Sequence, residues 1–83
     1  MEVWYTYIIE CADNTLYVGT TNDIEKRLIK HNTGKGAKYT RGRAPVKIRY
    51  SEEFESRAEA CKQEYKLKQF TREEKLDLIG LIR

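Results

Sequence analysis

The pattern of apolar and polar positions divides the chain into six elements. Residues 3–10, VWYTYIIE, are mostly β-branched or aromatic, a composition suited to a strand. Ala12-Asp13-Asn14-Thr15 is turn chemistry, and Leu16-Tyr17-Val18-Gly19 reads as a second strand, so the short connection predicts an antiparallel hairpin. Thr21 or Asn22 can cap a following helix, whose first turn carries Asp23 and Glu25 against its positive end. Ile24 and Leu28 give this helix a buried stripe, and it should end near His31-Asn32 with Gly34 just beyond.

Residues 33–45, TGKGAKYTRGRAP, form a loop rich in glycine and positive charge that Pro45 closes. Val46, Ile48 and Tyr50 then alternate with Lys47 and Arg49, which predicts a half-buried strand with one basic face. Ser56-Arg57-Ala58-Glu59 and Thr71-Arg72-Glu73-Glu74 are capping boxes that open two further helices. The expected packing stripe of the first is Ala58, Cys61 and Tyr65. The second, with Leu76, Leu78, Ile79 and Ile82, is expected to be largely buried. The order is β-β-α-β-α-α, and the expectation is an α+β fold: a small three-stranded, mainly antiparallel sheet with helices packed against it around one core, residues 1–83 forming a single domain.

Composition narrows the picture. Apolar residues make up 40% of the chain and charged residues 35%, a globular balance. Apolar stretches such as Ile8-Ile9 and Leu78-Ile79 are far too short to cross a bilayer, so no membrane association is expected. The N-terminus shows no basic segment followed by a long apolar run, and no secretory leader is expected. Cys11 and Cys61 fit neither a metal spacing nor a disulfide framework, so they read as reduced core residues of a cytoplasmic protein.

The net charge of +3 hides an asymmetry. From Lys26 to Arg49 there are nine Lys or Arg and no Asp or Glu, whereas the remainder of the chain holds seven basic and thirteen acidic residues. Gathered on one face, the basic segment makes a polyanion-binding patch, because each phosphate it neutralises releases counterions. Nucleic acid is therefore the expected partner, DNA more than RNA. The contact residues expected from the loop and the strand after it are Lys35, Lys38, Tyr39, Arg41, Arg43, Lys47 and Arg49. Tyr39 can stack on a base or pack against the fold.

Candidate chemistry lies in three places. On the first helix, each residue turns about 100°, which puts Leu28 near +40°, His31 near −20° and Arg27 near −60° of Ile24. Arg27 and His31 thus sit at the edge of the buried stripe. From the helix alone, Arg27 could equally be a snorkelling surface residue and His31 a helix-terminal cation. Glu64 lies one turn from Ala60 and three residues from Cys61 and Leu67. A carboxylate so placed is paired, protonated or bound to a metal, and Lys68 at i+4 offers a simple salt bridge. Tyr5 and Tyr7 share one face of the first strand, with Tyr17 on its neighbour, although tyrosines in sheets are often simply packed.

Taken together, Tyr5-Thr6-Tyr7, then Tyr17-Val18-Gly19, then Arg27, His31 and a distant Glu64 resemble the GIY-YIG nuclease domain, in particular its stand-alone, single-domain bacterial members. The resemblance covers essentially the whole chain. The glycine and isoleucine of the first triplet are Tyr5 and Thr6 here, and the lysine some members carry after the second triplet is Thr20. The resemblance implies hydrolysis of phosphodiester bonds, typically in DNA, with one divalent metal, Mg²⁺ or Mn²⁺. By carry-over Tyr7 and Tyr17 lie near the attacking water and one acts as general base, Arg27 holds the scissile phosphate, Glu64 is the metal ligand, and His31 hydrogen-bonds into the tyrosine network. Without an added domain, substrate choice is expected to follow nucleic-acid structure more than sequence, as in DNA repair or processing, with a repair complex as a conceivable setting. The alternative is a nucleic-acid-binding module that keeps the fold with little turnover.

Overall fold

A computed structural model describes residues 3–34 and 42–81 of the chain. The elements are β1 (Trp4–Glu10), β2 (Leu16–Thr21), α1 (Ile24–Asn32), β3 (Lys47–Phe54), α2 (Arg57–Lys68) and α3 (Arg72–Leu81), an α+β fold in the expected order. The three strands make one antiparallel sheet with β1 in the centre, in the order β2-β1-β3.

The β1–β2 hairpin is closed by the expected polar turn. Asn14 takes φ 69°, a conformation asparagine tolerates, and its N–H donates to the Cys11 carbonyl at 2.9 Å. Asp13 accepts from the backbone N–H and the hydroxyl of Thr15 at 3.2 and 2.6 Å. The cap of α1 is Asp23, not Thr21 or Asn22: its carboxylate accepts from the Lys26 N–H, and the Thr21 hydroxyl instead ties down Asp23 itself. The helix ends on Thr33, after which Gly34 adopts φ 78°, where a side chain would be strained. The backbone N–H of Val46 donates to the Asn32 side chain at 2.7 Å, which fixes the start of β3 against the end of α1. Ser56 caps α2, and Thr71 and Glu74 form a full reciprocal capping box at α3.

Residue alternation along β1 splits the interior into two clusters, not the single core expected. Ile8, with Val18 and Tyr50 beside it, packs on one face against Leu67 of α2 and Ile79 of α3. Tyr7 and Ile9 point the other way, into a cluster with Cys11, Val46, Ile48 and Leu28 of α1. The sheet is therefore a layer between α1 and the α2–α3 pair. Filling both sides of β1 explains why Thr6, Tyr7, Ile8 and Ile9 are all buried in succession.

Two further expectations change. Val46, Ile48 and Tyr50 do not share a face. Ile9 pairs with Ile48 but Ile8 pairs with Tyr50, so Arg49 is an extra residue, a bulge that sends Tyr50 to the opposite face. The strand also runs on to Phe54. In α2 the buried positions are Ala60 and Leu67, while Ala58, Cys61 and Tyr65 are exposed, Tyr65 by 71%. The helix is turned by about one residue from the expected stripe. Two contacts fix it: the Thr6 hydroxyl donates to the Ala60 carbonyl at 2.6 Å, which needs a small residue against β1, and Leu67 fills the core. Cys61 is thus a surface thiol, not a core residue, whereas Cys11 is buried as expected. In α3, Ile79 is buried but Leu76 is exposed, and Ile82 lies outside the described residues.

Candidate active site

The site forms where edge strand β2 passes Gly19. Tyr7 on β1 pairs directly with Gly19, and its ring lies across the place a side chain there would occupy. A Cβ built at Gly19 would sit 2.5 Å from Tyr7 Cζ and closer still to the phenol oxygen, under the 3.0 Å that real Cβ atoms respect. The glycine is required for space. It lets a buried phenol on the central strand reach the edge of the sheet.

There the phenol meets α1. His31 is the most enclosed residue of that helix, 1% exposed, and its Nε2 lies 3.1 Å from the Tyr7 hydroxyl. Its ring also stands edge-on to both Tyr7 and Tyr17, with centroids 6.1 and 5.5 Å apart. The reading of His31 as a helix-terminal surface cation does not hold, because the helix turns it inward between the two phenols. Burial, reinforced by the neighbouring Arg27 charge, holds His31 below the ordinary histidine range, so it is neutral at pH 7. Burial also pushes the Tyr7 phenol well above its usual value. Arg27 pulls it down, while Tyr17 and the Glu64 carboxylate push it further up.

A cleft of about 350 Å³, open to solvent, wraps this edge. Tyr7, Tyr17, Gly19, Thr20, Arg27 and Glu64 line it, joined by Trp4, Arg57 and Cys61. Tyr7, Tyr17 and Arg27 enter from the α1 side of the sheet, and Glu64 arrives from α2 on the other side. Thr20 carries it there: its hydroxyl donates to Glu64 Oε1 at 2.7 Å. Lys68 lies 3.0 Å from Glu64 Oε2, the i+4 pair foreseen from the sequence, and this contact raises the lysine's pKa. The carboxylate thus has both a sheet anchor and an ion pair. Four of the five expected catalytic residues line one cleft, and the fifth, His31, lies behind Tyr7.

The expected nucleic-acid contacts divide differently. Lys35, Lys38, Tyr39 and Arg41 lie outside the described residues. Arg43 binds the Asp13 carboxylate at 3.1 Å and the Thr15 hydroxyl at 3.2 Å, and its carbonyl accepts from the Ala12 N–H, so it helps hold the hairpin turn. Arg49, on the bulge, pairs with Glu10 at 3.3 Å. Lys47 is exposed. None of Arg43, Lys47 and Arg49 lines the cleft. The bulge moves Tyr50 to the opposite face, while Lys47 and Arg49 both meet Glu10, Lys47 as its strand partner and Arg49 as its ion pair. Trp4, Arg57 and Cys61 are cleft residues that the pattern did not suggest. The signal was present in α2, where Arg57, Cys61 and Glu64 are spaced i, i+4 and i+7 on one face.

A family model for the GIY-YIG catalytic domain matches residues 3–77. The chain belongs to this family. Its nuclease-like fold is shared with relatives of nearly the same length. A UPF0213 protein of Staphylococcus saprophyticus is 53% identical over 80 residues, covering 96% of this chain and 98% of its own. A UPF0213 protein of Halobacterium salinarum is 51% identical over 71 residues, 86% of this chain and 92% of its own. Among solved structures, that of a UPF0213 protein from Bacillus halodurans superposes with TM-score 0.62 at 44% identity, covering 95% of this chain and 84% of that one. A protein from E. faecalis gives TM-score 0.66 at 40% identity, covering 99% and 88%. No helix among the described residues of this GIY-YIG domain is long and apolar enough to cross a membrane.

Proposed function

We propose that this GIY-YIG domain is a divalent-metal-dependent endonuclease that hydrolyses phosphodiester bonds in DNA, chosen by structure more than by sequence. The observation that carries this reading is the meeting of Tyr7, Tyr17, Arg27 and Glu64 in one cleft at Gly19. The donor set suits Mg²⁺ or Mn²⁺. Among the described residues no group of three or more His, Cys, Asp or Glu comes together. Mg²⁺ is commonly held by one or two carboxylates, with waters and substrate phosphate completing the shell, and Glu64 supplies such a carboxylate at the cleft wall. Its Oε1 is held by Thr20 and its Oε2 is paired with Lys68. A bound metal supplies Lewis acidity toward the phosphate and an acidified water.

The chain's own residues do the remainder. Arg27 presents a planar fork of N–H donors to the non-bridging phosphate oxygens as negative charge builds on them. A water oxygen attacks phosphorus, the bond to the leaving oxygen breaks and that oxygen takes a proton from solvent, and the proton lost by the attacking water passes to the Tyr7 phenol oxygen. A phenol is a poor base by itself, because ionising it at pH 7 takes about 4 kcal/mol, and burial raises that further. His31 resolves this. With its own proton on Nδ1, its Nε2 accepts the Tyr7 proton across their 3.1 Å contact while the phenol takes one from water. No free phenolate need accumulate, and the neutrality that burial imposes on His31 is the state this relay requires.

Nicking of supercoiled plasmid with Mg²⁺ or Mn²⁺ tests the reading. Wild type nicks, and Arg27→Ala and Glu64→Ala each lose at least about a hundredfold, the usual loss on removing a group that stabilises the transition state. Equal nicking by all three marks a contaminant, and the domain is then a binding module with the nuclease fold.

A further inference from the structure

Trp4 and Arg57 line the cleft without taking part in the chemistry described above. Trp4, at the start of β1, lines it beside Arg57, the first residue of α2. The Arg57 guanidinium carbon lies 5.4 Å from the indole centroid, over the ring. A guanidinium over an indole joins a π surface to a fixed positive charge, the pair of features on which bases stack and beside which a phosphate is held. Arg57 and Glu64 stand on one face of α2, seven residues apart, which is about 10 Å along the axis. That exceeds the ~3.4 Å rise between stacked nucleotides. A phosphate at Arg57 therefore belongs to another nucleotide of the strand, not to the one at Glu64. The two guanidiniums of the cleft, Arg27 and Arg57, can serve two phosphates of one strand.

We propose that Trp4 and Arg57 form a subsite for an unpaired nucleotide adjacent to the scissile bond, so that the domain binds single-stranded or frayed nucleic acid in preference to blunt duplex. The adjacency to a scissile bond rests on the nuclease reading above; the subsite itself does not. Only an unpaired base can use it. Inside a duplex both faces of each base are covered by its neighbours, so an interior base reaches this place only when it is unpaired.

Trp4 is the chain's single tryptophan, so its emission reports this place alone. Metal-free protein in EDTA is titrated with a short oligothymidylate and, separately, with a blunt duplex of the same length. The oligothymidylate quenches Trp4 emission to saturation, and the duplex leaves it unchanged. By polarisation of labelled oligothymidylate, Arg57→Ala and Trp4→Ala each weaken binding about tenfold. Trp4→Phe and Arg57→Lys recover part of it, Phe through the ring it keeps and Lys through the charge. Arg57 is exposed, so its variants keep the fold even if Trp4→Ala does not. The oligothymidylate also slows maleimide labelling of Cys61, the exposed thiol in the same cleft; Cys11 is buried. Unchanged emission, equal quenching by duplex, or Arg57→Ala binding as wild type overturns the proposal. Quenching without nicking in Mg²⁺ leaves the subsite and removes the nuclease. Nicking without quenching does the reverse.

Discussion

Gly19→Ala adds one methyl group where the structure has no room for it. In a strand interior Ala is normally better than Gly by about 0.5–1 kcal/mol, through lower entropy loss. With free space at this position the substitution would therefore stabilise. The built Cβ, however, meets Tyr7 Cζ at 2.5 Å, and Tyr7 is 2% exposed on the central strand, hemmed by Ile9, Val46 and Ile48. The ring must shift. Overpacking of this kind costs about 1–3 kcal/mol, and losing the buried Tyr7–His31 hydrogen bond adds about 1–3 kcal/mol. Set against the entropy gain, the net loss is about 1–5.5 kcal/mol. For a domain this small each kcal/mol lowers Tm by about 4–8 °C. Urea unfolding followed by circular dichroism measures it, and plasmid nicking falls in parallel because the phenol leaves its place. The origin is isolated by a double-mutant cycle. In a Tyr7→Ala background the clash partner is gone, so Gly19→Ala becomes neutral or mildly stabilising. A Gly19→Ala protein as stable as wild type, or an equal penalty in both backgrounds, refutes the reasoning.

Glu64→Gln keeps an oxygen for the Thr20 hydroxyl and removes only the charge paired with Lys68, a contact worth about 0.3–0.5 kcal/mol, so unfolding midpoints barely move while metal-stimulated nicking falls at least about a hundredfold. Arg27→Lys keeps the charge but loses the planar fork, and single-turnover kinetics should show a large fall in rate with a small change in DNA affinity. His31 is held below its unfolded pKa of about 6.5. As pH falls, the unfolded chain takes up this proton first, so the stability His31 contributes is complete above about pH 6.5 and declines as pH drops towards the folded value. Urea midpoints at pH 7.5 and 5.5 should therefore diverge more for wild type than for His31→Gln, and equal divergence rules the effect out. At the alkaline end, burial raises Tyr7 strongly and Tyr50, which bonds Glu52, to about 12. Unfolded tyrosines ionise near pH 10, so stability is complete below that and falls above it. Tyr50→Phe flattens that fall in a pH titration of the unfolding midpoint.

The sequence by itself determined the order of elements and most of their ends. Strand composition, the Ser56 and Thr71 caps and the glycine after α1 are local signals, and local signals act through neighbours a few residues apart. The residue types of the site, two phenols, an arginine, a histidine and a carboxylate, were also legible, because their spacing along the chain matches a known family. Only the tertiary structure decided where they point. It placed α1 and α2 on opposite faces of β1, so one core became two clusters. It turned α2 by a residue, because Ala60 and Leu67 fit the sheet better than Ala58 and Tyr65, and this put Cys61 and Arg57 into the cleft. It inserted the Arg49 bulge, which no alternation pattern announces, and so sent Tyr50 to the face opposite Ile48. Each outcome depends on shape complementarity between segments far apart in the chain. Periodicity says that a face is apolar; only packing against a particular partner fixes its rotation, and with it which polar groups share a cleft.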